Sequence, residues 1–327
     1  MNLKICTFFL LFFCSVPPAL SDKCPDRDTL PTTCTCSDES THDYLDIQLS
    51  CSDSTIGELE RTLSLMGKSS RLGIQLHFMK LGNLPSKIFN GLNVVKLDIW
   101  YCELNGLAPP GEIALQGLEE TLLVLVIASS FTKTENPTVL HSLSHLSRLR
   151  ELELSYNAIT EVHDEWFSSP PPALSHLIMS NNGIEKLGDR AFEKLINLEY
   201  LGLFGNRFDS IKRSMLPKQG DRLEYLKLEN NAFTSVPDDL FTNMPALKVL
   251  SIRINKIARL QEQAFKPIWS QLDVFDARGN PLECDSTMEW LFHVKTEAAV
   301  VLGTCEGPLG REGMELHDFI ESKGQLI

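Results

Sequence analysis

"LRELELSYNAITEV", residues 149–162, reads as a buried strand and a turn with one residue out of character. Leu149, Leu152, Leu154, Ile159 and Val162 are spaced to face one interior, and Asn157 sits among them. A buried amide is unfavourable unless its donors and its acceptor are all used. The arrangement recurs. Blocks begin at Leu149, Leu174, Leu198, Leu223, Leu247 and Leu272, spaced by 25, 24, 25, 24 and 25 residues. Eight residues into each stands an asparagine: Asn157, Asn182, Asn206, Asn231, Asn255 and Asn280. Weaker blocks begin near Leu122, Val94 and Arg71, with Ser130, Cys102 and Met79 at the asparagine position. A fixed period of this length marks a stacked-repeat protein, in which each unit buries its apolar face against its neighbours.

Within a block the pattern L-x-x-L-x-L alternates. Positions four and six face inward, while three, five and seven face outward, which makes a short strand lying parallel to those of adjacent repeats. The chain then turns at the asparagine, sends in an apolar pair such as Ile159 and Val162, and returns to Phe89, Phe167, Phe192, Phe241 or Phe265, a spine behind the sheet. The turn leaves backbone amides and carbonyls in a dry interior. A side-chain amide supplies both a donor and an acceptor, so a column of them serves each turn and the next. Cys102 falls in that column, where a thiol is a weaker substitute; we read it as a buried structural thiol, not a reactive one.

The start of the chain carries a different signal. Lys4 precedes an apolar stretch from Ile5 to Val16, and "ALS" ends at Ser21, which predicts a secretory signal over residues 1–21 cleaved before Asp22. That stretch is too short to span a bilayer, and no later segment is long enough. The net charge is −13, or −14 without Lys4, which argues against nucleic acid or anionic membrane as a partner. Asn136-Pro137-Thr138 is disqualified as a glycosylation site by its proline. Cys6 and Cys14 would leave with the signal. Cys24, Cys34, Cys36, Cys51, Cys102, Cys284 and Cys305 remain, an odd number in a compartment that favours disulfides.

Those cysteines lie at the two ends, where a stack exposes its core and needs caps. "CPDRDTLPTTCTC" and Cys51 are at the front, and "NPLECDSTMEWLF" and Cys305 at the back. With the repeat "LxxLxLxxNxL", these motifs resemble extracellular leucine-rich-repeat proteins over essentially the whole mature chain. The resemblance implies an α/β solenoid: a leucine-rich-repeat horseshoe with a parallel concave β-sheet, an irregular convex side and disulfide-stapled caps. It also implies the bridges Cys24–Cys36 and Cys34–Cys51. The family's back cap has two further cysteines that this chain lacks, with Ser286 in one place, so Cys284–Cys305 is expected alone. The "CPD" start, the "CTC" pair and "FKPIWSQLDVFDARGNPLECD" are further similar to a group of arthropod proteins related to a non-catalytic luciferase subunit. The layout is then a signal over 1–21, a front cap over 22–70, about nine repeats over 71–279, the first three irregular, and a back cap over 280–327.

No residue set supports catalysis, and no cofactor or metal is expected. His163-Asp164-Glu165 reads as a solvated charge run. His141 and His145 supply too few ligands for a metal and read as surface. What remains is the outward face. Position three carries Lys96, Val124, Glu151, His176, Tyr200, Tyr225, Val249 and Val274. Position seven carries His77, Trp100, Ala128, Ser155, Ser180, Phe204, Glu229, Arg253 and Arg278; position eight adds Phe78, Tyr101 and Tyr156. These files predict a central cluster of His176, Tyr200, Phe204 and Tyr225, and a front cluster of Phe78, Trp100 and Tyr101. Aromatic side chains open to solvent on a concave sheet suggest a binding surface. Arg253 and Arg278 are expected to be neutralised by Glu229, Asp273 and Asp276. The reading is a secreted, non-enzymatic protein that binds a protein ligand through its concave face. The alternatives are a partner subunit of a secreted enzyme, or recognition of a glycan or microbial surface ligand.

Overall fold

A computed structural model describes residues 24–39, 44–131, 143–294 and 300–323. The signal over 1–21, the Asn136 tripeptide and His141 lie outside the described residues. The dominant element is a 12-stranded sheet whose strands follow one another in chain order. Its central strands are three residues long: Glu151–Glu153, His176–Ile178, Tyr200–Gly202, Tyr225–Lys227, Val249–Ser251 and Val274–Asp276, each parallel to the next. The inward leucines Leu152, Leu177, Leu201, Leu226 and Leu250 pair in register and are fully buried, which is what fixes the stacking.

The parallel sheet runs past both ends of the 71–279 interval. Ile47–Ser52 pairs parallel with Leu72–His77, and Val300–Leu302 pairs parallel with Val274–Asp276. Cys34–Asp38 closes the front edge antiparallel to Ile47–Ser52. Disulfides join Cys24 to Cys36, Cys34 to Cys51 and Cys284 to Cys305. The front cap also contains helix α1, Ile56–Ser64, begun by a Thr55–Glu58 capping box. Helix α2, Glu262–Trp269, occupies the return of one late repeat, and α3, Leu316–Glu321, packs in the back cap.

Behind the sheet, Phe167 lies 5.8 Å from Phe192, and Phe241 lies 5.4 Å from Phe265, centroid to centroid. Buried Met215 and Leu216 fill the gap between these pairs.

The amide column forms, with its polarity toward the preceding repeat. Asn182 Nδ2 donates to Leu154 O at 2.8 Å and its Oδ1 accepts from Asn157 N at 2.7 Å. Asn206 accepts from the N–H groups of Asn182, Gly183 and Ile184, all at 3.1 Å. Asn157, Asn255 and Asn280 act likewise. The expected service of the next turn is reversed because each side chain projects back under the strand it follows. Asn231 is the exception. Its Nδ2 donates to Leu203 O and Leu228 O, both at 3.1 Å, but its Oδ1 has no partner among the described residues. Cys102 does the same work as an amide: its Sγ donates to Leu76 O at 3.4 Å and accepts from Met79 N at 3.5 Å. Ser130 continues the column, bonding Ile99 O and Cys102 N.

Candidate binding face

The register places the position-three residues in one continuous file. Glu151 pairs with His176, His176 with Tyr200, Tyr200 with Tyr225, and Tyr225 with Val249. The rings follow: His176 stacks on Tyr200 at 5.9 Å and 10°, and Tyr200 meets Tyr225 at 5.9 Å and 31°. Phe204 joins them through a glycine. A Cβ on Gly202 would lie 3.0 Å from Tyr200 Cε1 and 3.5 Å from both Phe204 Cε1 and Ile178 Cγ2. Tyr200 and Phe204 therefore lean together over the space that a side chain at position five would fill. This leaning half-buries His176, Tyr200 and Phe204, and Tyr225, 38% exposed, is the open end of the patch.

Tyr200 is held above its ordinary pKa, first by burial and then by the negative charges of Glu229 and Glu153. Gly202, Glu153 and Glu229 are thus parts of this patch. The position-five file would have exposed the first two, since Glu153, Ile178 and Gly202 are its successive members. A depression of ≈ 880 Å³ beside the patch reaches it at His176 and Glu151, and is otherwise lined by residues such as Tyr44, Arg150 and Glu199.

The front cluster also comes together. Phe78 stacks on Tyr101 at 5.4 Å and 10°, and Trp100 lies 6.4 Å from Tyr101. Below it is a charge the files did not single out. Asp98 is 3% exposed; its Oδ2 pairs with Lys96 Nζ at 3.1 Å, and its Oδ1 has no partner among the described residues. Burial pushes its carboxyl up, against the pull of Lys96.

Position eight has a backbone requirement invisible in the pattern. Phe78, Tyr101, Ser129, Tyr156, Asn181, Gly205, Asn230, Ile254 and Gly279 all have φ between 50° and 69°. Asparagine and glycine tolerate this left-handed conformation; an aromatic or β-branched residue is strained there. Phe78, Tyr101 and Tyr156 are nonetheless over half exposed.

Three expectations need correction or completion. Ala128, Ser155 and Ser180, expected on the open face, are buried, and Ser155 Oγ bonds Ser180 Oγ at 2.9 Å. Their side chains are too short to rise above neighbouring strands. Arg278 pairs with Asp276 at 2.7 Å, but among the described residues Arg253, Glu229 and Asp273 form no ion pair within 4.0 Å, so the expected neutralisation holds for Arg278 and not for Arg253. Burial raises the Asp276 carboxyl, but the bonds and charge of Arg278 outweigh this and hold it below its ordinary value. His163, Asp164 and Glu165 are exposed, as a solvated run should be, with Asp164 accepting from Arg190 N at 2.7 Å, whereas His145, expected on the surface, is half-buried. Cys102 is buried, which pushes its thiol up. Among the described residues, no cluster of three metal-ligating side chains occurs, and no helix is long and apolar enough to cross a membrane.

Comparison with known proteins agrees with this architecture. A family model described as leucine rich repeat matches residues 147–208 and 221–282. Bovine lumican is 33% identical over 123 residues, 38% of this chain and 33% of lumican. Mouse Toll-like receptor 9 is 30% identical over 150 residues, 46% of this chain and 14% of the receptor. The Oplophorus-luciferin 2-monooxygenase non-catalytic subunit of Oplophorus gracilirostris is 26% identical over 217 residues, 58% of this chain and 57% of that protein. The matched stretch covers less than two thirds of each relative. Repeat, sheet, amide column and terminal bridges give one result: the chain folds as a leucine-rich-repeat solenoid with a disulfide-bonded cap at each end.

Proposed function

We propose that this is a secreted, non-catalytic binding protein that recognises a protein partner through its concave face. His176, Tyr200, Phe204 and Tyr225 form the centre of the contact, and Trp100 and Tyr101 a second contact nearer the front. Residues 22–70 and 280–327 act as caps, and 71–279 as the recognising surface. The observation that carries this reading is the unbroken ring file from His176 to Tyr225 on a pleated, concave sheet. Rigid aromatic rings supply contact area at low entropic cost, which suits them to binding hot spots. The test is affinity capture from native fluid with the wild type and a Tyr200→Ala/Tyr225→Ala variant. The partner should be lost from the variant; equal capture by both refutes the central site.

A second reading is favoured by the similarity to a protein named as a non-catalytic subunit. It predicts co-purification with a catalytic chain in fixed ratio, and a free monomer in native secretions speaks against it.

A further inference from the structure

The central patch is aromatic and also acidic. In the four consecutive strands from Glu151–Glu153 to Tyr225–Lys227, positions three, five and seven carry Glu151, Glu153 and Glu229 against a single lysine, Lys227, and Arg253 follows Glu229 at position seven of the next repeat without forming an ion pair within 4.0 Å among the described residues. Among the described residues none of the three carboxylates has an ion-pair partner within 4.0 Å. Glu229 is the critical one. Its Oε2 is shut off from solvent and has no hydrogen-bond partner among the described residues. It stands close enough to Tyr200 for its charge to act on the phenol. A shielded carboxylate oxygen without a donor is an unfavourable arrangement in isolation. A partner's charged donor can meet this carboxylate only when the side chain turns that oxygen outward, and the pairing is then favourable.

Resting on the reading of the concave face as a protein-binding surface, we infer that this patch takes an arginine side chain of the partner. Its guanidinium stacks on Tyr200 and Tyr225 and donates to Glu229, with Glu153 on the far side. The charge is complementary, in a chain of net charge −13. The geometry selects guanidinium over ammonium: a planar cation can stack on a ring and present a fork of N–H donors edgewise at once, whereas an ammonium is a compact, strongly hydrated point charge. Gly202 lets the stacking rings take this position, because a side chain there would displace Tyr200 and Phe204.

The test uses a capped Gly-Arg-Gly peptide at millimolar concentration, with its citrulline and lysine counterparts. The chain has five tyrosines, so selective labelling resolves each ring by NMR. The expected result is that the Tyr200 and Tyr225 signals move with the arginine peptide, while those of Tyr44 and Tyr156 do not. Citrulline in place of arginine, or Glu229→Gln, should weaken binding about tenfold. Glu153→Gln, at a more open position, should weaken it in the same direction. Equal binding of arginine and citrulline peptides, lysine binding as tightly as arginine, or indifference to Glu229→Gln overturns the inference. Capture of the native partner separates the two levels. A partner lost from Tyr200→Ala/Tyr225→Ala but retained in full by Glu229→Gln refutes only the arginine seat. A partner retained by both variants refutes the concave site beneath it.

Discussion

Replacing Asn206 and Asn231 separately by leucine, a residue of similar size, tests the amide column at its strongest and weakest members. Asn206 accepts from three backbone N–H groups at 3.1 Å and donates to Met179 O at 3.0 Å and Leu203 O at 2.9 Å. Asn231 only donates, its two N–H groups shared among Leu203 O, Leu228 O and the more distant Glu229 O, and it carries an unpartnered Oδ1. At about 1 kcal/mol net per bond, Asn206→Leu should lose about 5 kcal/mol. Asn231→Leu should lose about 2 kcal/mol for its two bonds, offset by removal of an orphaned acceptor whose burial itself costs about 1 kcal/mol or more. The expected gap between variants of one residue type, at one repeat position, is therefore about 3–4 kcal/mol. Guanidinium chloride unfolding followed by far-UV circular dichroism measures it, provided the m-values agree, since a repeat array can unfold in parts. Equal losses, or a greater loss from Asn231→Leu, would mean that amide bonding is not what the column contributes.

Three further outcomes are expected. Cys102, buried and with its thiol pushed up, should resist iodoacetamide in the folded protein and react only in denaturant, as read by mass spectrometry. Gly205→Val should destabilise by about 2 kcal/mol or more in thermal melts, from the left-handed backbone and β-branching combined with collision against the Asn181 side chain. The Asp98 carboxyl is raised above 3.8 in the fold, so the fold favours its protonated form. Its contribution is present below the unfolded value and is lost as pH rises through the folded one. Melting points of Asp98→Asn should accordingly gain on the wild type as pH rises through that window; a difference independent of pH refutes the assignment.

The periodic features were legible in the sequence because they repeat. Leu152, Asn182 or Phe192 is one sample of a pattern, and the concave files follow once the period is known. The bridges followed from resemblance, not from spacing. What stayed hidden depends on contacts that no single repeat specifies. Gly202 gains meaning only when Tyr200 and Phe204 lean over it. Ser155 and Ser180 obey the outward alternation, yet are buried because short side chains stay below their neighbours. The left-handed rim could have been inferred from Asn181, Gly205, Asn230 and Gly279, which share position eight, but Phe78, Tyr101 and Ile254 obscure that signal. Helix α1 lies in the cap, outside the period, and no repeat announces it.

A column of like-oriented strands offers its own outline as a template, and a neighbouring molecule could add to it end on. The first strand, Cys34–Asp38, runs against all the others and is pinned by Cys34–Cys51. It presents approaching chains with a reversed pattern of donors and acceptors, and it cannot peel away to reveal the one beneath. The parallel edge of Ile47–Ser52 is therefore covered, and what stands open at that extremity is an antiparallel strand held in place by a disulfide.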